Sequence, residues 1–293
     1  SDAQTTLRES QSWTMVLRIL SEIGLFRMSR DYSKSPEFLS TLERGLAVLK
    51  SFAGQAKSMT LSQVAERTAL SPAVVRRCSL TLEHLGYVSK MDGRFALSPG
   101  VLSFASLFNE AYNLDGTIRP ILQRLRDETG DSASFTVMQN ADVLYVSHSS
   151  AQRAIRLQAN TGTRYPALVT STGRAMLADL SDEDLHEFIE SNPVERYTAK
   201  TIIDPDELFN EIRECGRRGY ALVSDELDYG ITSMAAPVSL SGEGVVAAIN
   251  SSAQTQRVDF SAFADQRWPL LDAAAHDLRR TLTTTPDLLA VLN

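Results

Sequence analysis

Between Thr60 and Leu97 the chain reads TLSQVAERTALSPAVVRRCSLTLEHLGYVSKMDGRFAL, and few folds accommodate that order of signals. Thr60 suits an N-cap, and Leu61, Val64 and Ala65 recur at helical spacing, with Gln63, Glu66 and Arg67 on the other face. This predicts a helix ending near Thr68. A second helix opens with Ser71 as N-cap and Pro72 at the first helical position, where the missing N–H is harmless. Val74, Val75, Cys78, Leu82 and Leu85 form its predicted buried stripe. Ser71, Ala73, Arg76, Arg77 and Ser79 through Thr81 form its predicted polar and basic surface. Gly86 is placed for a left-handed cap, Tyr87 to Ser89 reads as a strand, Asp92-Gly93 as a two-residue turn and Arg94 to Leu97 as the return strand. Two helices and a wing describe a winged helix-turn-helix, whose second helix enters a DNA major groove by its N-terminal half. Arginine bonds guanine edges and phosphates alike. Ser71, Pro72, Ala73, Arg76 and Arg77 on the helix, with Lys90 and Arg94 on the wing, are therefore the candidate DNA contacts. The competing reading is a small α/β core with solvated charges; agreement of turn, cap, wing and charge weighs against it.

The net charge of −7 argues against nucleic acid, until its distribution is considered. Residues 36–100 carry +3, whereas Val101 onward carries −11. A basic module on an acidic body steers one face toward phosphate, and +3 is modest enough to expect two or more copies on one operator. With 293 residues and 43% hydrophobic content, the chain has the makeup of a soluble globular protein. The most apolar early stretch, Trp13 to Phe26, is interrupted by Arg18, Ser21 and Glu22, so neither a membrane span nor a signal peptide is expected, and a cytoplasmic location is. Cys78 and Cys215 lie far apart with no CxxC, which suggests neither a disulfide framework nor a metal site, and no cofactor is expected.

Residues 1–35 form an N-terminal extension to which no role is assigned; its stripe Val16, Leu17, Leu20, Ile23 and Leu25 suits an amphipathic helix. Phe38 to Phe52 reads as the first helix of the DNA-binding domain, 36–100, with Leu42, Leu46, Val48 and Leu49 as its apolar positions. Residues 101–115 are too apolar for a solvated linker and predict a linker helix that dimerises the chain. The second domain, 116–293, begins with a helix from Thr117 to Thr129. Strands follow at Ser134 to Met138, Val143 to Ser147 and Ile155 to Gln158, and the loop Gly162 to Pro166 feeds a helix from Ser171 to Leu180. Helices at Asp182 to Ser191 and Asp204 to Arg218 precede strands at Ala221 to Ser224, Ser233 to Leu240 and Val245 to Ser251. A last helix spans Phe260 to Leu282. The fold class is α+β: a winged helix-turn-helix, a linker helix and a mixed α/β domain.

In the second domain Thr170, Ser171 and Thr172 place three hydroxyls before a helix, an arrangement that suits a carboxylate and equally suits plain N-capping. Catalysis finds little support. His84, His148, His186 and His276 are scattered, and HExxH, GxSxG and P-loop patterns are missing from the sequence. Gly242-Glu243-Gly244 fits a loose dinucleotide pattern but lies between two predicted strands, where a hairpin turn is expected.

TLERGLAVLKSF, LSQVAERTALSPAVVRRCSLTLEHLGYV and DGRFALSPGVL resemble the winged helix-turn-helix of the IclR family of bacterial transcription regulators. RYPALVTSTGRAMLADL, RRGYALVSDEL, YGITSMAAPV and GVVAAINSSA are similar, in order and spacing, to segments of that family's GAF-like effector-binding domain. The likeness runs from about Phe38 to about Leu282. Within the family it is strongest to the branch regulating protocatechuate, 4-hydroxybenzoate and β-ketoadipate catabolism. The resemblance implies a homodimer or tetramer on double-stranded operator DNA, a small carboxylate effector and no enzymatic activity. By position it implies effector contacts at Ser171, Thr172, Gly173, Ser233, Asn250 and Ser252, with Asp225 close by. Val223 falls where glyoxylate-type members place an aspartate, so a less polar wall and an aromatic or longer acid are expected, with glyoxylate or pyruvate as the alternative. Arg164 and Arg174 are each either assisting cations or surface residues.

Overall fold

The computed structural model describes residues 34–53, 57–151, 159–241 and 244–292. The stripe within residues 1–33, the strand expected at Ile155 to Gln158, and Gly242 and Glu243 lie outside them. Contacts divide the chain between Ala111 and Tyr112 into two units.

The N-terminal unit contains helices α1 (Ser40–Lys50), α2 (Leu61–Thr68) and α3 (Pro72–His84), strands β1 (Val88–Met91) and β2 (Arg94–Leu97), and helix α4 (Leu102–Tyr112). Thr60 caps α2 reciprocally: its hydroxyl accepts the Gln63 N–H at 3.3 Å, and the Gln63 side chain accepts the Thr60 N–H at 2.9 Å. Ala69, at φ 53°, turns the chain toward α3. Asp92 and Gly93 both take positive φ, 49° and 75°, which suits a tight two-residue hairpin, and β1 and β2 pair antiparallel from Met91↔Arg94 outward. Val48, Phe52, Val64, Val75, Leu82 and Phe95 form the core.

Three expectations are corrected here. Leu42 and Leu46 are exposed, because at about 3.6 residues per turn they lie on the far side of α1 from buried Val48. Ser79 is buried rather than on the polar surface, since it sits one turn beyond Val75 on the core face. Leu85 is exposed because α3 ends at His84 and the chain turns away through Gly86, at φ 80°.

The C-terminal unit is a six-stranded sheet in the order β5-β4-β3-β8-β7-β6, with every neighbouring pair antiparallel. Its elements are α5 (Leu114–Thr117), α6 (Arg119–Thr129), β3 (Ser132–Gln139), β4 (Asp142–Ser149), β5 (Arg164–Pro166), α7 (Ser171–Leu177), α8 (Asp182–Ser191), α9 (Pro205–Arg218), β6 (Ala221–Ser224), β7 (Ile231–Leu240), β8 (Gly244–Gln254), α10 (Phe260–Thr284) and α11 (Pro286–Leu292). Alternation along the strands serves two cores. Phe135, Met234 and Ile249 face Leu122 of α6 and Leu271 and Leu278 of α10. Ala235 and Ala248 share the opposite face with Leu177, Leu185, Leu208 and Ile212 of α7 to α9. The sequence read Gly162 to Pro166 as a loop; residues 164–166 instead pair with β4, Tyr165 opposite Val143. Three residues ending in proline are too few to show alternation. Likewise α11, seven residues after Pro286, is too short to carry a periodic signature.

Candidate functional site

On the N-terminal unit, Ser71, Pro72, Ala73, Arg76 and Arg77 are all exposed along the start of α3. Ser71 is extended, and its hydroxyl makes no cap bond. The guanidinium of Arg94 is already engaged: Nε donates to Ser58 Oγ at 3.0 Å, and Nη2 donates to the Ser58 carbonyl at 2.8 Å and to Gln63 Oε1 at 3.2 Å. Since Gln63 also closes the Thr60 capping box, Arg94 ties the wing to the first turn of α2. Lys90 reaches back over the Phe95 ring, its ammonium 5.7 Å from the centroid.

The C-terminal unit carries a partly open pocket lined by hydroxyl, aromatic and aliphatic side chains. Its floor is the sheet itself. Register places Ser132, Ser252, Ser233 and Val223 in one row across β3, β8, β7 and β6. His148, Ser134 and Asn250 form the next row, across β4, β3 and β8. Ser171, first residue of α7, reaches the floor from above: its hydroxyl is 2.8 Å from that of Ser233, which is 2.8 Å from that of Ser252. The Asn250 amide donates to both Ser233 and Ser252 at 3.0 Å. The edge-to-face pair Tyr145 and Tyr165, with centroids 5.5 Å apart, belongs to the walls with Val169, Leu227 and Ile231.

Of the effector residues expected from sequence, Ser171, Ser233 and Ser252 line this cavity, and so does Val223. Asn250 stands behind Ser233 and Ser252, 2% exposed, with Oδ1 unpartnered among the described residues. Thr172 is fully buried within α7. Gly173 serves packing: a Cβ there would fall 2.1 Å from the Ala167 carbonyl oxygen. Asp225 shapes the β6–β7 loop. At φ 58° its carboxylate accepts the Gly230 N–H at 2.7 Å, the Thr255 hydroxyl at 2.9 Å and the Lys200 ammonium at 2.7 Å. Burial would push that carboxyl up, but the Lys200, Gly230 and Thr255 bonds outweigh it and hold it below the usual carboxylate range.

Neither arginine is a cavity cation. Arg174 is 0% exposed, which removes the surface reading. It donates from Nη1 and Nη2 to the two carboxylate oxygens of Glu226, at 2.8 and 2.6 Å, and from Nε to the Leu168 carbonyl at 2.8 Å. Arg164 pairs with Asp142 at 3.2 Å and donates to the Gln139 carbonyl. Among the described residues the lining carries no lysine or arginine; it offers hydroxyls and two carboxylates, Asp228 and a Glu226 neutralised by Arg174.

Sequence reasoning missed Ser134, Tyr145, His148 and Tyr165, all on the cavity wall. Strict alternation would send Tyr145 and His148 to opposite faces of β4. A bulge intervenes: Phe135 pairs with Ser147 and Thr136 with Tyr145, leaving Val146 unpaired and turning both residues to the cavity. Burial lowers the His148 pKa and raises that of Tyr145, with Tyr165 adding to the latter.

The model of the IclR helix-turn-helix domain matches residues 41–92, and that of the bacterial transcriptional regulator IclR C-terminal domain matches residues 110–280. The Pca regulon regulatory protein of Pseudomonas putida is 34% identical over 249 residues, covering 84% of this chain and 85% of that protein. The crystal structure of a transcriptional regulator from Rhodococcus sp. RHA1 superposes with a TM-score of 0.71 at 34% identity, covering 84% and 99% of the two chains. The inducer-binding domain of the PobR transcription factor from Acinetobacter, a double mutant in complex with 3-hydroxybenzoic acid, is 31% identical, with a TM-score of 0.51 over 55% of this chain and 94% of that one. With both of its domains matched in order and a relative of this identity along most of its length, the chain belongs to the IclR family of bacterial transcriptional regulators.

Proposed function

We propose that this regulator reads the half-sites of an operator through paired copies of α3 and responds to an aromatic carboxylic acid held in the C-terminal cavity. The observation that carries the effector half is the cavity's chemistry: a cluster of hydroxyls from Ser171, Ser233 and Ser252 at one end, with Tyr145, Tyr165, Val169, Leu227 and Ile231 among its walls. Such a site rewards a flat apolar body with one anionic end. Val223 on the wall favours an aromatic acid over glyoxylate or pyruvate, and the relatives regulating the Pca regulon or binding 3-hydroxybenzoic acid point the same way. Ligand and DNA are coupled only so far as the acid binds one of two protein states better than the other.

A thermal-shift screen tests the effector. At 100 times its dissociation constant the correct acid stabilises by about 2.7 kcal/mol, or roughly 5–10 °C for a unit of this size. Hydroxybenzoates or protocatechuate are expected to produce that rise, and glyoxylate and pyruvate are not. Ser233→Trp fills the cavity and is expected to abolish the shift while operator affinity is unchanged. A normal ligand shift in that variant places the effector elsewhere.

The dimer reading rests on α4, which buries none of its residues and exposes Leu102 (68%), Phe104 (52%) and Leu107 (62%). An apolar helix of this kind calls for a partner surface, and a second copy supplies it in a protein that needs two half-sites. Leu107→Glu is expected to shift the chain toward monomer by light scattering and to weaken operator binding; an unchanged mass sinks the assignment.

A further inference from the structure

The cavity has a second polar end that the family resemblance did not supply. His148 on β4 lies across the sheet from the Ser171, Ser233 and Ser252 cluster, with Nδ1 3.0 Å from Ser134 Oγ on β3. Register sets His148 two strands across and two residues along from Ser252, on the order of 12 Å. Side chains on one face of a sheet stand roughly perpendicular to it, so their tips keep about that Cα separation, and a hydrogen bond of about 2.8 Å at either end leaves about 6 Å, the span of a benzene ring between para substituents. The ends differ in what they can satisfy. A carboxylate has about four acceptor sites and needs several donors, for which a cluster of three hydroxyls is better suited than a single imidazole nitrogen. A phenolic hydroxyl both donates and accepts, so it pairs with Nε2 in whichever tautomer Ser134 selects. Burial, by disfavouring the imidazolium, keeps the ring neutral for that exchange.

Resting on the aromatic-acid reading above, we propose that His148, positioned by Ser134, is the specificity-determining group of the cavity, binding the ring hydroxyl of a hydroxylated aromatic acid whose carboxylate sits among Ser171, Ser233 and Ser252. The Tyr145 and Tyr165 pair then flanks the ring between the two ends. The bulge in β4 gains a purpose, because without it His148 and Tyr145 could not face one ligand.

Calorimetric titration of the full chain with benzoate and with 4-hydroxybenzoate tests this. Wild type is expected to bind the hydroxylated acid roughly tenfold more tightly, since without the hydroxyl a buried polar group is left unpaired. His148→Phe is expected to bring the two affinities within about threefold, with 4-hydroxybenzoate losing more than benzoate, and Ser134→Ala to lose part of the preference. His148→Gln, which keeps a hydrogen-bonding side chain, is expected to restore some of it. A preference that survives in His148→Phe overturns the proposal. So does an equal loss for both acids, which would make His148 a shaping residue only. Failure of wild type to bind either acid, or any other hydroxybenzoate, overturns the aromatic-acid reading first and this one with it.

Discussion

Replacing Arg174 with methionine is expected to destabilise the C-terminal unit by about 3–5 kcal/mol, because it strands the buried carboxylate of Glu226. The guanidinium is fully enclosed, bonded to both Glu226 oxygens and to the Leu168 carbonyl, so its loss leaves the carboxylate with only the Ile202 N–H, at 3.3 Å, among the described residues. In a unit of this size the loss corresponds to a fall in Tm of roughly 6–20 °C. The Arg174→Met, Glu226→Leu double variant is expected to recover much of that loss, since removing both charges leaves neither one buried and alone. A single variant that melts like wild type contradicts the buried pair. The pair also bears on function. Glu226 lines the cavity, and with Arg174 gone its unbalanced charge opposes an incoming carboxylate, so acid binding should weaken more in the single variant than in the double.

Arg174 also marks where the sequence stopped being informative. Its letter and spacing suit an exposed helix position as well as a buried one; only the fold shows that the β6–β7 loop returns Glu226 to meet it. Features encoded locally were legible. The Thr60 N-cap, the left-handed cap at Gly86, the Asp92-Gly93 turn and the helix expected from Asp204 each depend on two to four adjacent residues and lie where the sequence places them, to within a residue. Of the cavity-lining residues, Ser171 is legible from the hydroxyls that precede a helix as well as from family likeness, and Ser233 and Ser252 from the likeness alone. His148 and Tyr145 escaped because a bulge broke the period of two, and β5 escaped because three residues cannot establish one. Arg94 shows a related limit. An exposed arginine on a wing suits phosphate, yet its partners Ser58 and Gln63 lie some thirty residues upstream and are joined to it only by folding.

The strongest test of the DNA-facing reading follows from that difference between arginines. Arg76 and Arg77 point outward from α3 with no structural bond assigned to either among the described residues, while Arg94 is engaged by Ser58 and Gln63. Alanine at Arg76 or Arg77 is therefore expected to weaken operator binding by about 1–3 kcal/mol each and to leave Tm unchanged. The double variant should lose on the order of 10²–10⁴ in affinity if the two contacts add. Salt then separates phosphate from base contacts. A phosphate-bound arginine, once removed, should lower the slope of log affinity against log salt by about one, whereas a base-reading arginine should relax sequence preference at one position and leave the slope nearly unchanged. Arg94→Ala should behave differently from both, losing thermal stability because the wing is released from α2, with DNA affinity falling as a consequence. Measured operator affinity that is indifferent to both Arg76 and Arg77 at physiological salt would remove α3 from the groove. Removing both arginines lowers the net charge of residues 36–100 from +3 to +1, which makes that outcome easy to detect.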